Sequence, residues 1–143
     1  MKIVVSPNPY RDKQFKNARQ ACSILREAGA EVALCLPFDV DKTFEIPHDL
    51  RFQDIQKEIK TADMLICFGG DGTILHSSKI ATEHNLPILG VNIGTMGFIA
   101  ELESGEIELL RRIPKGEYTV EERTMLDVSV GNGRQTIFHE TAL

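Results

Sequence analysis

The run Gly69-Gly70-Asp71-Gly72-Thr73 sets one carboxylate inside a glycine turn, where an apolar strand pattern from Met64 to Phe68 gives way to a helical pattern beginning at Ile74. Glycine tolerates positive φ and lets backbone approach a ligand closely. The free amides and the dipole of a helix's first turn favour a negatively charged guest. Together these features predict phosphate chemistry on a small phosphorylated molecule. A second glycine-bearing turn runs from Asn92 to Phe98, and glycines recur as Gly-x-x-x-Gly-x-x-Gly across Gly90, Gly94 and Gly97. That spacing is not the Rossmann dinucleotide fingerprint, and there is no Walker lysine.

Each feature also has a plainer explanation. A glycine turn after a buried strand serves equally as a tight βα connection, and it is the aspartate together with the second turn that weighs against this. Phe98 taken alone reads as a core residue. His76 reads as well as a capping or solvated histidine, and His48, His84 and His139 are assigned nothing. Glu121, Glu122 and Arg123 read as exposed ion pairs of little worth, and Glu101 to Glu108 as a solvated acidic face.

The elements that must position these residues alternate between β and α. Lys2 to Ser6 is a short apolar strand; Gln14 to Ala28 carries Phe15, Ala18, Cys22 and Leu25 at helical spacing and ends at Gly29. Glu31 to Leu36 reads as a strand, Pro37 to Pro47 as a loop, and Phe52, Ile55 and Ile59 as the apolar face of a helix leading into the strand Met64 to Phe68. Ile74 to His84 is a helix with Ile74, Leu75 and Ile80 turned inward, and Pro87 to Val91 is a fourth buried strand. Strands joined through helices predict an α/β fold, a Rossmann-like parallel sheet with helices on both faces. In such a sheet both glycine turns leave carboxyl ends of strands and flank one cleft, with Ser6-Pro7-Asn8-Pro9 as a further wall.

After Phe98 the pattern changes. Ser104 to Arg112 predicts a helix capped by Ser104, with Ile107, Leu110 and Ile113 apolar, and Pro114-Lys115-Gly116 breaks it. From Tyr118 the signal is β: Leu126, Val128 and Val130 alternate with polar neighbours, Asn132-Gly133 signals a hairpin, and Thr136 to Thr141 returns. Two strands alone are marginal in water. The expected organisation is an α/β nucleotide-binding domain over residues 1–114 and, over 115–143, the first hairpin of a truncated β-rich domain.

The chain has 143 residues and a net charge of −5, with no tryptophan and no basic cluster interleaved with aromatics. One ordinary soluble domain is the expectation, and a nucleic-acid face is not. No apolar stretch approaches the roughly 20 residues that cross a bilayer, and the start does not resemble a signal peptide, so a cytoplasmic location is expected. Cys22, Cys35 and Cys67 are odd in number and far apart, which suggests reduced core thiols rather than a zinc site or a disulfide framework.

Gly69-Gly70-Asp71-Gly72-Thr73-Ile74-Leu75, followed at this spacing by Gly90-Val91-Asn92-Ile93-Gly94-Thr95-Met96-Gly97-Phe98, resembles the paired motifs of the bacterial NAD kinases. The resemblance continues through Glu122-Arg123 to the closing Glu140-Thr141-Ala142-Leu143, which in that family leads into an Asn-Asp or Asn-Glu pair that binds nucleotide. It implies transfer of a phosphoryl group from ATP, or in some members polyphosphate, to the 2′-hydroxyl of the adenosine ribose of NAD. Asp71 matches the catalytic aspartate, Gly72 an NAD-contacting position, Phe98 an aromatic that packs on the NAD adenine, and His76 a polar position near the dinucleotide. The amides of Gly70, Gly72 and Thr73 are the candidates for phosphate oxygens. A carboxylate at a helix N-terminus is a weak base, so orientation of the hydroxyl with late proton loss is expected rather than prior deprotonation. Mg²⁺ is implied on the ATP phosphates, held mostly by phosphate and water. NAD and ATP are the implied partners, with no nucleic acid or membrane. The implied whole protein is a homo-oligomer, whereas this piece is expected to be a monomer or to pair through its hairpin edge.

Two other classes share part of this pattern. A lipid kinase of the diacylglycerol or sphingosine type carries the first motif but is not expected to carry Gly-Val-Asn-x-Gly-x-x-Gly-Phe. A non-catalytic dinucleotide-binding module would keep the cleft without the groups that complete a reaction.

Overall fold

The computed structural model describes residues 1–95, 97–133 and 135–142; Met96 of the second turn and Leu143 of the closing run lie outside them. Five parallel strands form one sheet: β1 (Lys2–Pro7), β2 (Glu31–Leu34), β3 (Met64–Gly69), β4 (Ile88–Asn92) and β5 (Leu102–Glu103), in the spatial order β2-β1-β3-β4-β5. The register is regular, with Ile3 opposite Val32 and Met64, and Leu65 opposite Ile88. β5 is too short to leave a periodic signal in the sequence.

Alternation along the strands sorts side chains to two faces. Ile3, Val5, Val32, Leu34, Met64, Ile66 and Phe68 join one core, which is covered by helix α1 (Lys16–Glu27) and by a 3₁₀ helix, Ser104–Lys115, that packs on α1. Val4, Ala33, Cys35 and Leu65 face the other way, against Ile59 and against Ala81 of helix α3 (Asp71–Glu83). The α/β sandwich expected from the alternation is therefore present. Fully buried side chains such as Phe15, Leu25 and Phe68 stabilise it by about 2–3 kcal/mol each.

Local details differ from the sequence reading for identifiable reasons. The region around Ile55 is a single turn, α2 (Ile55–Glu58), continued by a 3₁₀ turn to Thr61; the Asp54 carboxylate caps it through the Gln56 amide. α3 starts at Asp71, and its buried residues are Thr73, Ile74, Ser77, Ser78 and Ala81, while Leu75 and Ile80 are half-buried. Close approach of α3 to the sheet favours the small side chains over the larger apolar ones. Ser104 does not cap the last helix: Glu103 does, in a reciprocal capping box with Glu106. Pro114 lies inside that helix, and Gly116 ends it at φ 73°. Before α1, Gln14 and Phe15 both adopt φ 54°, and Phe15 is held there by tilted and edge contacts with Phe52 and Phe44.

Strands β6 (Leu126–Gly131) and β7 (Thr136–Ala142) pair antiparallel as a separate two-stranded sheet, turned at Gly133 with φ 81°. Leu126, Val128, Val130, Ile137 and Phe138 are exposed on it, so its alternation does not mark a buried face here. No helix among the described residues is long and apolar enough to cross a membrane.

Candidate functional site

In the order β2-β1-β3-β4-β5 the chain reverses direction of travel between β1 and β3, and ligands of open parallel sheets bind beyond the carboxyl ends at such a point. A cavity of about 560 Å³ lies there. The turn after β1 contributes Asn8 and Arg11, and the loop after β2 contributes Phe38. Gly70 to Thr73 and His76 come from the start of α3, with Gly94 and Thr95 from the turn after β4. A larger apolar cavity of about 700 Å³ sits toward the amino ends of β3 and β4, under residues 118–123 and Met125. It holds none of Asp71, Gly72, His76 and Phe98, so the smaller cavity is the candidate site.

The glycines of the first turn act by space rather than by positive φ, since Gly69, Gly70 and Gly72 all lack it. A Cβ on Gly69 would stand 2.3 Å from Thr73 Oγ1, so only glycine lets Thr73 fold back over the strand end. Over Gly70 and Gly72 there is open space, and a ligand can reach the backbone. The Asp71 and Gly72 amides belong to the first turn of α3, where a helix has no carbonyl to offer them. The Thr73 amide is already donated to the Gly70 carbonyl at 2.9 Å, and its hydroxyl accepts from Asn8 Nδ2 at 2.9 Å. Thr73 therefore ties the first turn to the β1 turn.

The Asp71 carboxylate joins the two motifs. It accepts the Phe98 amide at 3.1 and 3.2 Å and the Ile99 amide at 3.3 Å. The Phe98 ring is left 84% exposed, so it is not a core residue. Asn92 braces the second turn from below: it is buried, its Oδ1 accepts the Gly94 amide at 3.0 Å and its Nδ2 donates to Glu103 at 2.9 Å. A Cβ on Gly97 would press on the Asn92 side chain at 3.0 Å, and one on Gly90 would meet Ile74 Cδ1 at 2.5 Å. His76 Nε2 lies 3.0 Å from the Pro37 carbonyl, with its ring edge-on to Phe38 at 5.7 Å.

A family model described as the ATP-NAD kinase N-terminal domain matches residues 2–118. The chain belongs to the NAD kinase family. It is 31% identical over 139 residues to an NAD kinase of Corynebacterium diphtheriae, covering 94% of this chain and 44% of that protein. An NAD kinase of Bacteroides fragilis is 32% identical over 130 residues, covering 90% and 45%. One from Natranaerobius thermophilus reaches 43% over 91 residues, covering 63% and 31%. The chain thus spans about half the length or less of these curated relatives. Among solved structures, yeast NADH kinase complexed with NADH has the same fold, with a TM-score of 0.68 at 19% identity over 99% of this chain and 46% of that one.

Against the NAD kinase motifs, Asp71, Gly70, Gly72, Thr73 and His76 share one cavity, and Phe98 joins them through its amide to Asp71. Glu101 and Arg123, read as solvent charges, form a pair at 3.8 Å, and Glu101 also accepts the Gly90 amide. Asn8 appeared in the sequence only as part of a wall. Arg11 and Phe38 were not singled out, because a lone arginine and a loop phenylalanine carry no periodicity or motif of their own.

Proposed function

We propose that the protein phosphorylates the 2′-hydroxyl of the adenosine ribose of NAD with ATP, or polyphosphate, as donor, and that this cavity is where the transfer occurs. The hydroxyl oxygen attacks the terminal phosphorus in line, its bond to the leaving phosphate breaks, and ADP or a shortened polyphosphate departs. The observation that carries this reading is the Asp71 carboxylate, which lies in the cavity at the start of α3 while two amides of the second turn hold it. That hold fixes the carboxylate's direction, so it orients the hydroxyl and accepts the proton as the transition state is passed.

The other roles follow from position. Gly70 and Gly72 offer accessible backbone to phosphate oxygens, and Thr73 keeps that turn in register through Asn8. With Nε2 donating to the Pro37 carbonyl, His76 presents Nδ1 as an acceptor to the dinucleotide. The exposed Phe98 ring is a platform for the NAD adenine. Among the described residues no group of three or more His, Cys, Asp or Glu could hold a metal ion. That donor set fits Mg²⁺ carried on phosphate and water oxygens with at most the Asp71 carboxylate added. When bound, the ion neutralises phosphate charge.

Under the same reading, residues 1–114 are the nucleotide-binding unit and 115–143 open a β-rich one, which the separate β6-β7 sheet and the length of the relatives support. The working protein is a cytoplasmic homo-oligomer. A coupled assay for NADP from NAD and Mg-ATP tests the function. NADP formation that falls roughly 10²-fold or more in Asp71→Asn is expected, and equal rates in parent and variant would overturn it.

A further inference from the structure

We infer that Arg11 is the side chain that clamps the phosphate chain of the donor, a positioning residue that nothing in the paired motifs assigns. The inference rests on the kinase reading and deepens it. Arg11 is the one lysine or arginine among the described residues that line the cavity, and Asp71 is the one carboxylate. A polyphosphate chain entering this cleft meets the anionic Asp71 in a protein of net charge −5. The dipole of α3 offsets that repulsion only in part, since it is worth a fraction of a charge. A side-chain cation adds to what the dipole and phosphate-bound Mg²⁺ offset, and the guanidinium supplies it in the fork geometry that matches phosphate oxygens.

Three observations place Arg11 in this role. Its guanidinium reaches across the cleft, with one terminal nitrogen 3.9 Å from where a Cβ on Gly94 would stand, so it spans from the β1 turn to the second glycine turn. Among the described residues it has no carboxylate partner and no side-chain hydrogen bond, whereas Arg19, Arg111, Arg112 and Arg123 are each engaged with a carboxylate. Its backbone is held on both sides. The Asn8 amide donates to the Phe68 carbonyl, the Asn8 carbonyl accepts the Arg11 and Asp12 amides, and the buried Asp12 carboxylate accepts the amides of Asn17 and Ala18. A free cation on a fastened turn is preorganised for an anion, which lowers the ordering cost of binding.

The shared chemistry is a triphosphate or longer chain, as found in a nucleoside triphosphate and in inorganic polyphosphate. Isothermal titration of the 143-residue chain with inorganic tripolyphosphate, with ATP and with NAD, each in Mg²⁺ buffer, tests the inference on the parent, Arg11→Ala and Arg11→Lys. Arg11→Ala is expected to weaken binding of a phosphate donor roughly tenfold or more, Arg11→Lys to recover part of it, and NAD affinity to stay unchanged. The loss of affinity with added salt should be steeper for the parent than for Arg11→Ala, a difference that a merely structural residue would not produce. Loss for both donors supports recognition of the chain itself; loss for ATP alone or tripolyphosphate alone supports the clamp and names the source. Parent-like donor binding by Arg11→Ala, weakened NAD binding instead, or no donor binding by the parent overturns it. If Arg11→Ala binds donor normally while Asp71→Asn abolishes NADP formation, this inference fails alone. If Arg11→Ala loses donor binding but parent and Asp71→Asn form NADP at equal rates, the kinase reading fails alone.

Discussion

The turn after β3 runs straight into α3, whereas the turn after β4 leads to β5 with no helix among its described residues. The first turn is ordered mostly by its own backbone: the Thr73 and Ile74 amides both return to the Gly70 carbonyl. The second depends on side chains from elsewhere, with Asn92 and Glu103 below it and Asp71 reaching over from the first. Their glycines differ accordingly. Gly69 makes room for its own turn's Thr73, while Gly90 and Gly97 make room for Ile74 of α3 and for Asn92. The contrast teaches that one motif comes close to folding its own turn and the other is folded by it, so the carboxylate proposed to react is also the architectural link between them.

Gly69→Ala should break the first turn most severely. The added Cβ would stand 2.4 Å from Thr73 Cβ, backbone-near atoms that cannot swing away. A loss of about 3 kcal/mol in urea unfolding is expected, against almost none for Gly70→Ala, which has open space. Asn92→Ala should strike the second turn alone. It removes a buried side chain and leaves the Gly94 amide and the Glu103 carboxylate, both on exposed residues, without that partner, and a cost of about 1 kcal/mol is expected. Amide exchange should quicken at Gly94 while the amides of α3 stay protected; uniform quickening through both turns would contradict the division.

Asp71→Ala sharpens the comparison at the link itself. The Phe98 and Ile99 amides lose their acceptor near solvent, so roughly 1 kcal/mol of stability is expected to go. Faster exchange should follow at those two amides and not at Thr73. The smallest effect at neutral pH belongs to the thiols, which lie under neither turn's open face. Burial pushes Cys22 up to about 11 and Cys35 and Cys67 up to about 12, from an ordinary value of 9.0. Between 9.0 and those values the unfolded chain gives up thiol protons that the folded chain keeps. Stability contributed by these thiols is therefore whole below pH 9 and declines as pH rises through that window. Urea titrations at a series of pH values check this, and a thiol reagent at neutral pH should leave all three unmodified until the protein unfolds.

Much of the fold was legible because it is periodic. The alternation of strand and helix, the parallel sheet, the inward Ile107, Leu110 and Ile113 and the buried cysteines all follow from local patterns of apolar residues, which report burial directly. The two-residue β5, the single-turn α2 and the cap at Glu103 were not legible, since each is too short for a period and is decided by what it packs against. Within the site, Asp71 and its glycines were visible as a motif, but the reason for them was not. Glycine was expected to supply positive φ and instead supplies space.

By itself the sequence determined the class of fold, the glycine turn that carries Asp71 and the family, because residue type and spacing are properties of neighbours along the chain. Only the tertiary structure decided that Asp71 holds Phe98 from 27 residues away, that Asn8 and Thr73 meet across 65, and that Arg11 reaches Gly94 from the β1 turn. Such contacts depend on which strands lie side by side at the sheet's carboxyl edge. That adjacency comes from burial of two apolar faces at once, which no single stretch of sequence encodes.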